Sequence, residues 1–239
     1  MSETDQPCHA LQATEVVDHL AQGRLGLTDY VSAMHEHTVA TDSTVKAFAH
    51  YSPEIIGQQL ERLSVLKHAG QGLPSLFGLP VAVKDNIDTC DYPTEYGYAG
   101  SAGRSPRVDA LLVHKLRQAG ALVWAKSRTT ELAYMHPTVT ENPRAPGHTP
   151  GGSSSGSAAA VASGMVPAAI GTQTNGSVIR PASFCGIYGF KPSRGLIFNG
   201  GVLPCSPSLD QVGVFARSAE DLAAVAEVMV GGHQLDGGK

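Results

Sequence analysis

The spacing of apolar and polar positions divides the chain into helices and strands. Residues 12–23 and 28–40 carry apolar side chains at helical intervals; in the second segment Tyr30, Val31 and Met34 share a face, and Thr28 is the expected N-cap. VKAFAHY (45–51) reads as a short strand. Ser52 then caps a third helix with Pro53 at its first position, where a missing N–H is harmless. Ile55, Ile56, Leu60, Leu63 and Leu66 form its apolar stripe, and Gly70 and Gly72 are expected to stop it. GLPVAVKDNID (78–88) holds a short apolar strand that ends on a charged residue, 108–119 a helix closed by Gly120, and ALVWAK (121–126) a buried strand. Strand, helix and strand at this spacing make a crossover in a mainly parallel or mixed sheet.

A long polar loop (137–157) leads to a helix from about 156, a strand near 167–172, a short helix after Ser177 and a strand near 187–191. Ser218 caps a last helix, with Asp221 as the expected capping-box partner. The fold class is therefore α/β, a mixed β-sheet core flanked by helices. Residues 1–72 are expected to form an N-terminal helical segment packed on the core, 73–231 the core, and 232–239 a flexible tail.

Composition narrows the function. A length of 239 residues suits one large domain. With 42% hydrophobic and 16% charged residues and a net charge of −4, the chain is neither a disordered acidic segment nor the basic type that binds nucleic acid. No apolar run is long enough for a membrane helix, and MSETDQPCHA lacks the pattern of a secretory leader. Cys8, Cys90, Cys185 and Cys205 have no CxxC spacing and read as reduced thiols of a cytoplasmic protein. The ten histidines are scattered, without HExxH, so no metal or other cofactor is expected.

The chemistry concentrates in PGGSSSGSAAAVASGMVPAAIGTQTNGSVIRPASFCGIYGFKPS (150–193). GGSSSGS alone would be a flexible linker, but it runs directly into a small-residue helix and a strand. TNGS then puts a serine after a glycine at a strand-to-helix turn. Such a turn presents a hydroxyl beside free N–H groups, which suits a nucleophile with an oxyanion hole. Taken singly, Lys84 is a strand-end charge, Ser153 a loop serine and Ser177 a helix cap.

Together, GGSS, a serine 24 residues later in GTQTNGSVIRPA, and Lys84 in GLPVAVKDNID resemble the amidase signature family, most closely its small-amide amidases such as malonamidase. The likeness covers about residues 74–231. It implies a Ser-Ser-Lys triad: Ser177 as nucleophile, Ser153 as a bridging serine that follows a cis peptide bond, and Lys84 as ultimate base. A serine hydroxyl attacks well only when a base takes its proton. A lysine can be that base if burial lowers its pKa from near 10.4. Thr174, Asn175, Gly176 and Ser177 would supply the oxyanion-hole N–H groups. Asp85 and Asn86 would support the lysine loop, and Cys185 would be a buried packing group.

The chain departs from the family in having Gln173 where an aspartate is usual and Asn175 before Gly176; Asn tolerates left-handed geometry, so the hole is expected to survive. Without an acid at 173, Arg180 is either free to grip a substrate carboxylate, helped by Thr172, or holds the loop through another acid. Family members are about twice as long, so the chain reads as an N-terminal half that would need a missing C-terminal half or a homodimer to cover its apolar edges. The expected activity is hydrolysis of a small-molecule carboxylic amide through an acyl-serine. The alternatives are a glutamine-hydrolysing subunit of a transamidation complex and a catalytically silent interaction module.

Overall fold

The computed structural model describes residues 6–68 and 72–230. Among these residues the helices are α1 (Ala13–Ala21), α2 (Leu27–Val45), α3 (Pro53–His68), α4 (Leu111–Gln118), α5 (Ser155–Ala162), α6 (Ile179–Cys185) and α7 (Ala219–Met229). The strands are β1 (Phe48–Tyr51), β2 (Pro80–Lys84), β3 (Leu122–Ser127), β4 (Ala168–Gln173), β5 (Tyr188–Phe190) and β6 (Gln211–Ala216). They form one mixed sheet in the order β1-β3-β2-β4-β6-β5. The central strands β3, β2 and β4 are parallel, while β1 and β6 flank them antiparallel and β5 pairs antiparallel with β6 at the edge.

Strands β2, β3, β4 and β6 are buried along their whole length. Helices cover both faces, so these strands read as continuous apolar runs rather than alternating ones. Helix α5 packs across β2, β3, β4 and β6. Its SGSAAAVA sequence allows this, because small side chains let the helix sit close to the sheet. Gly156 is the tightest point: a Cβ there would lie 2.1 Å from the Ala47 carbonyl oxygen and 2.4 Å from the Arg128 nitrogen. Its own N–H donates to the Arg128 carbonyl at 2.9 Å, which fixes the start of α5 beside β3.

Most expected elements are present, with four differences. The second helix begins at Leu27 with Gly26 as N-cap, so Thr28 lies inside it, and it continues to Val45. Lys46 then turns left-handed (φ 54°), so the following strand spans only Phe48–Tyr51. Strand β6, QVGVFA, has no counterpart among the expected elements. At the last helix, Ser218 Oγ accepts from Asp221 N at 3.1 Å as expected, but the reciprocal half of the capping box is missing. The Asp221 carboxylate instead accepts from Thr14 N (2.9 Å) and Thr14 Oγ1 (3.0 Å), tying α1 to α7. Ser52 does cap α3, accepting from Ile55 N at 3.3 Å. The expected stop at Gly70 and the tail at 232–239 lie outside the described residues.

Candidate active site

Because β2 and β4 are parallel neighbours, their carboxyl ends lie side by side, the usual place for a site in such a sheet. Lys84 is the last residue of β2, and Thr172 and Gln173 close β4. The segment 151–154 passes over these ends before α5 begins. Ser154 Oγ pins it there, donating to the Thr172 carbonyl and accepting from Thr172 N, both at 3.3 Å.

Lys84 is fully buried. Its Nζ donates to Ser153 Oγ at 2.7 Å and to Thr172 Oγ1 at 2.9 Å. Asn86 Nδ2 also donates to Thr172 Oγ1, at 3.0 Å. Thr172, expected beside the substrate, thus forms part of the cradle around the lysine amine while it also lines the adjoining cleft. Burial pulls the Lys84 pKa down to about 7, with Cys205 and the Asp210 carboxylate pulling it back upward. A charged ammonium loses its hydration here and gains no ion pair among the described residues, so the neutral amine is favoured.

Ser153 is buried, and the Gly152–Ser153 peptide bond is cis. Three hydrogen bonds hold the residues on either side of it. Thr130 N donates to the Ser153 carbonyl at 3.0 Å, and Arg180 donates to the Gly152 carbonyl through Nε (3.1 Å) and Nη2 (2.7 Å). Arg180 has no carboxylate partner among the described residues. It holds the loop, as one of the two expectations had it, but through a carbonyl and not through an acid. Arg180 also lines a pocket of about 230 Å³ with Thr130, Tyr134, Met135, Gly152 and Phe184.

Ser177 stands in the turn between β4 and α6 and is 6% exposed. Its Oγ makes no hydrogen bond among the described residues, so the structure joins Lys84 to Ser153 and leaves the last link open. The backbone N–H groups of 174–177 have no acceptor among the described residues. Asn175 does not use a left-handed conformation; its φ is not positive. Gln173 shapes the turn instead: its Oε1 accepts from Val178 N (2.8 Å) and Ile179 N (2.9 Å), satisfying two donors that open α6. An uncharged amide thus does locally what a carboxylate could do.

Two parts of the site have no forerunner in the sequence reading. Asp210 accepts from Thr174 Oγ1 at 2.5 Å and from the N–H groups of Cys205 (2.7 Å) and Ser206 (2.8 Å), so it ties the 205–210 loop to the turn that bears Ser177. Lys126 on β3 is a second fully buried lysine. It donates to Ile87 O (2.8 Å), Pro93 O (3.3 Å) and Thr94 Oγ1 (2.5 Å), and lies 3.6 Å from Asp85. Asp85 in turn accepts from Glu95 N and Gly97 N at 3.1 and 3.3 Å, so Lys126 and Asp85 brace the loop that follows Lys84. A charged residue near the end of the apolar run LVWAKS is the only sequence signal for it. Cys185 is buried, with its pKa pushed up to about 12, which fits its expected packing role.

The chain belongs to the Amidase family, which it matches over residues 29–238. It is 37% identical over 235 residues to a glutamyl-tRNA(Gln) amidotransferase subunit of Chloroflexus aurantiacus, covering 96% of this chain and 48% of that protein. It is 36% identical to the AtzE subunit of the 1-carboxybiuret hydrolase of a Pseudomonas species, covering 95% of this chain and 51% of that one. The structure of the peptide amidase of Stenotrophomonas maltophilia superposes with a TM-score of 0.87 at 32% identity, covering 96% of this chain and 50% of that chain. The chain therefore spans about half the length of the curated relatives it matches.

Proposed function

We propose that this chain carries the catalytic half of an amidase that hydrolyses a carboxylic amide through an acyl-serine, with Ser177 as nucleophile, Ser153 as proton relay and Lys84 as base. The observation that carries the reading is the contact between Lys84 and Ser153. A fully buried amine, its pKa drawn down to about 7, lies 2.7 Å from a hydroxyl that makes no other hydrogen bond among the described residues. In the neutral amine the sense of this contact reverses, and Ser153 donates its proton to Nζ.

Loss of the Ser153 proton makes its oxygen an acceptor for the Ser177 proton. Ser177 Oγ then attacks the amide carbon, and the carbonyl oxygen becomes an oxyanion. The free N–H groups of Thr174, Asn175, Gly176 and Ser177 are available to it, each worth about 3 kcal/mol when well aimed. On collapse, the Lys84 ammonium returns its proton to Ser153, which protonates the departing nitrogen. Water repeats the sequence on the acyl-enzyme. Arg180 acts on the loop that carries Ser153 and also lines the pocket beside it.

A fluorophosphonate probe followed by peptide mapping tests this reading. The expected result is a single adduct on Ser177. Folded protein that takes no label would instead be the silent module. The relationship to an amidotransferase subunit favours a second reading, glutamine hydrolysis within a larger complex. In that case label would still reach Ser177, but ammonia release from glutamine would require added companion subunits.

A further inference from the structure

Residues 95–97 wrap around Asp85, the residue that follows Lys84. The Asp85 carboxylate accepts from Glu95 N and Gly97 N, and its backbone carbonyl accepts from Tyr96 N at 3.0 Å. On the far side the Tyr96 carbonyl accepts from Leu132 N at 2.9 Å. Tyr96 is half-buried and has a positive φ of 61°. A bulky side chain adopts that backbone conformation only where its surroundings hold it there. Arg104 supplies the hold. Its guanidinium lies over the Tyr96 ring, 4.6 Å from the centroid, where the negative face of the ring attracts a cation. Asp88 fixes that guanidinium from behind through two hydrogen bonds, of 2.6 and 3.0 Å. The segment that Tyr96 meets borders the relay serine. Thr130 N donates to the Ser153 carbonyl, Ala133 lines the small cavity that Ser153 also lines, and Tyr134 and Met135 line the pocket beside Gly152. Tyr134 and Met135 are 60% and 75% exposed, so packing does little to place them. Among the described residues, the bond from Leu132 N to Tyr96 is the only hydrogen bond that ties 131–135 to anything outside 130–135.

We propose that Tyr96 and Arg104 are positioning residues that set selectivity for the acyl group: the braced Tyr96 carbonyl fixes Ala133, Tyr134 and Met135 as the wall against which that group rests. This assignment rests on the acyl-serine reading, since only then does an acyl group lie beside Ser153. Neither residue touches the reacting atoms. Without the cation over its ring, Tyr96 is free to return to negative φ, and its carbonyl swings away from Leu132. The wall then loses its one tie from outside. A short acyl group that scarcely reaches the wall loses little by this, whereas a longer apolar one loses the surface it needs. Lys84 lies on the other side of the bridge and keeps its contacts with Ser153 and Thr172.

Hydrolysis of p-nitrophenyl acetate and p-nitrophenyl hexanoate by the same protein tests this without knowledge of the natural substrate. Arg104→Met removes the cation, and Tyr96→Leu removes the aromatic face while leaving the Arg104–Asp88 pair in place. In each variant kcat/KM for the hexanoate relative to the acetate should fall at least about tenfold, chiefly through a higher KM for the hexanoate. Tyr96→Phe keeps the ring and should keep the wild-type ratio. The midpoint of the pH–rate curve should stay where it is in all three variants. An unchanged ratio in both Arg104→Met and Tyr96→Leu, with a normal p-nitrophenol burst, would overturn the positioning role and leave the acyl-serine reading intact. An equal loss of kcat on both esters would also overturn it, by making the pair a general support of the fold. No p-nitrophenol burst from the wild-type protein would overturn both readings.

Discussion

A lysine held without charge in the interior should destabilise the fold, and by an amount that depends on pH. Lys84 is fully buried, and its pKa falls from 10.5 to about 7. The unfolded chain therefore holds a proton between those two pH values that the folded chain does not. Below pH 7 both states are protonated and the folded state bears the whole cost of a buried ammonium, roughly 5 kcal/mol. As pH rises from 7 to 10.5 the unfolded state loses its advantage and the cost fades. Lys84→Met keeps most of the packing volume and removes the charge, but it gives up hydrogen bonds to Ser153 and Thr172 worth about 1 kcal/mol each. The expected net effect is a gain of about 2–4 kcal/mol at pH 6, shrinking to nothing or a small loss near pH 10. Urea unfolding of both proteins at several pH values measures this directly. The same substitution should abolish labelling of Ser177 by a fluorophosphonate. A variant no more stable than the parent at pH 6, or a difference that does not change with pH, would refute the claim that position 84 holds an amine at the expense of the fold.

Other substitutions probe the supports of the site. Arg180→Ala removes both donors to the Gly152 carbonyl, so activity should fall at least about tenfold on neutral and acidic amides alike; a loss confined to acidic substrates would make Arg180 a carboxylate grip instead. Gln173→Leu strands the Val178 and Ile179 N–H groups at the start of α6 and should cost about 2–4 kcal/mol in thermal or denaturant unfolding, whereas Gln173→Glu should retain most of that stability. Asp210→Asn should weaken the tie to Thr174 and the 205–206 turn, and would also remove a negative charge that raises the Lys84 pKa. The midpoint of the pH–activity curve should therefore move to lower pH, and an unmoved midpoint would separate Asp210 from the lysine.

Much of the architecture is legible in the sequence because the strands that matter are apolar throughout and are punctuated by glycine and proline. PVAVK and LVWAK could hardly be anything but buried strands, and the helix between them fixes a crossover. QVGVFA escapes notice because a glycine interrupts it and polar loops precede it; its strand character comes from pairing with β4 and β5, which no local pattern records. The second helix outruns its expected end because TDSTV has weak helix propensity, and tertiary packing carries it to Val45. In the site, Lys84 and Ser153 are readable from motif order, and their contact is as direct as hydrogen bonding allows. The roles of Thr172, Asp210 and Lys126 are not. Each depends on which residues from distant segments end up within hydrogen-bonding reach, and that is set by strand register and loop closure rather than by neighbours in sequence. The same holds for Gln173, whose capping of α6 emerges only when the turn is drawn around it.

The most direct test of the account is the rate at which a fluorophosphonate labels Ser177 as pH is varied. If a neutral Lys84 draws the proton through Ser153, the rate should rise about tenfold per pH unit below 7 and level off above it. A rate that stays flat from pH 5 to pH 9, with label still on Ser177, would contradict it.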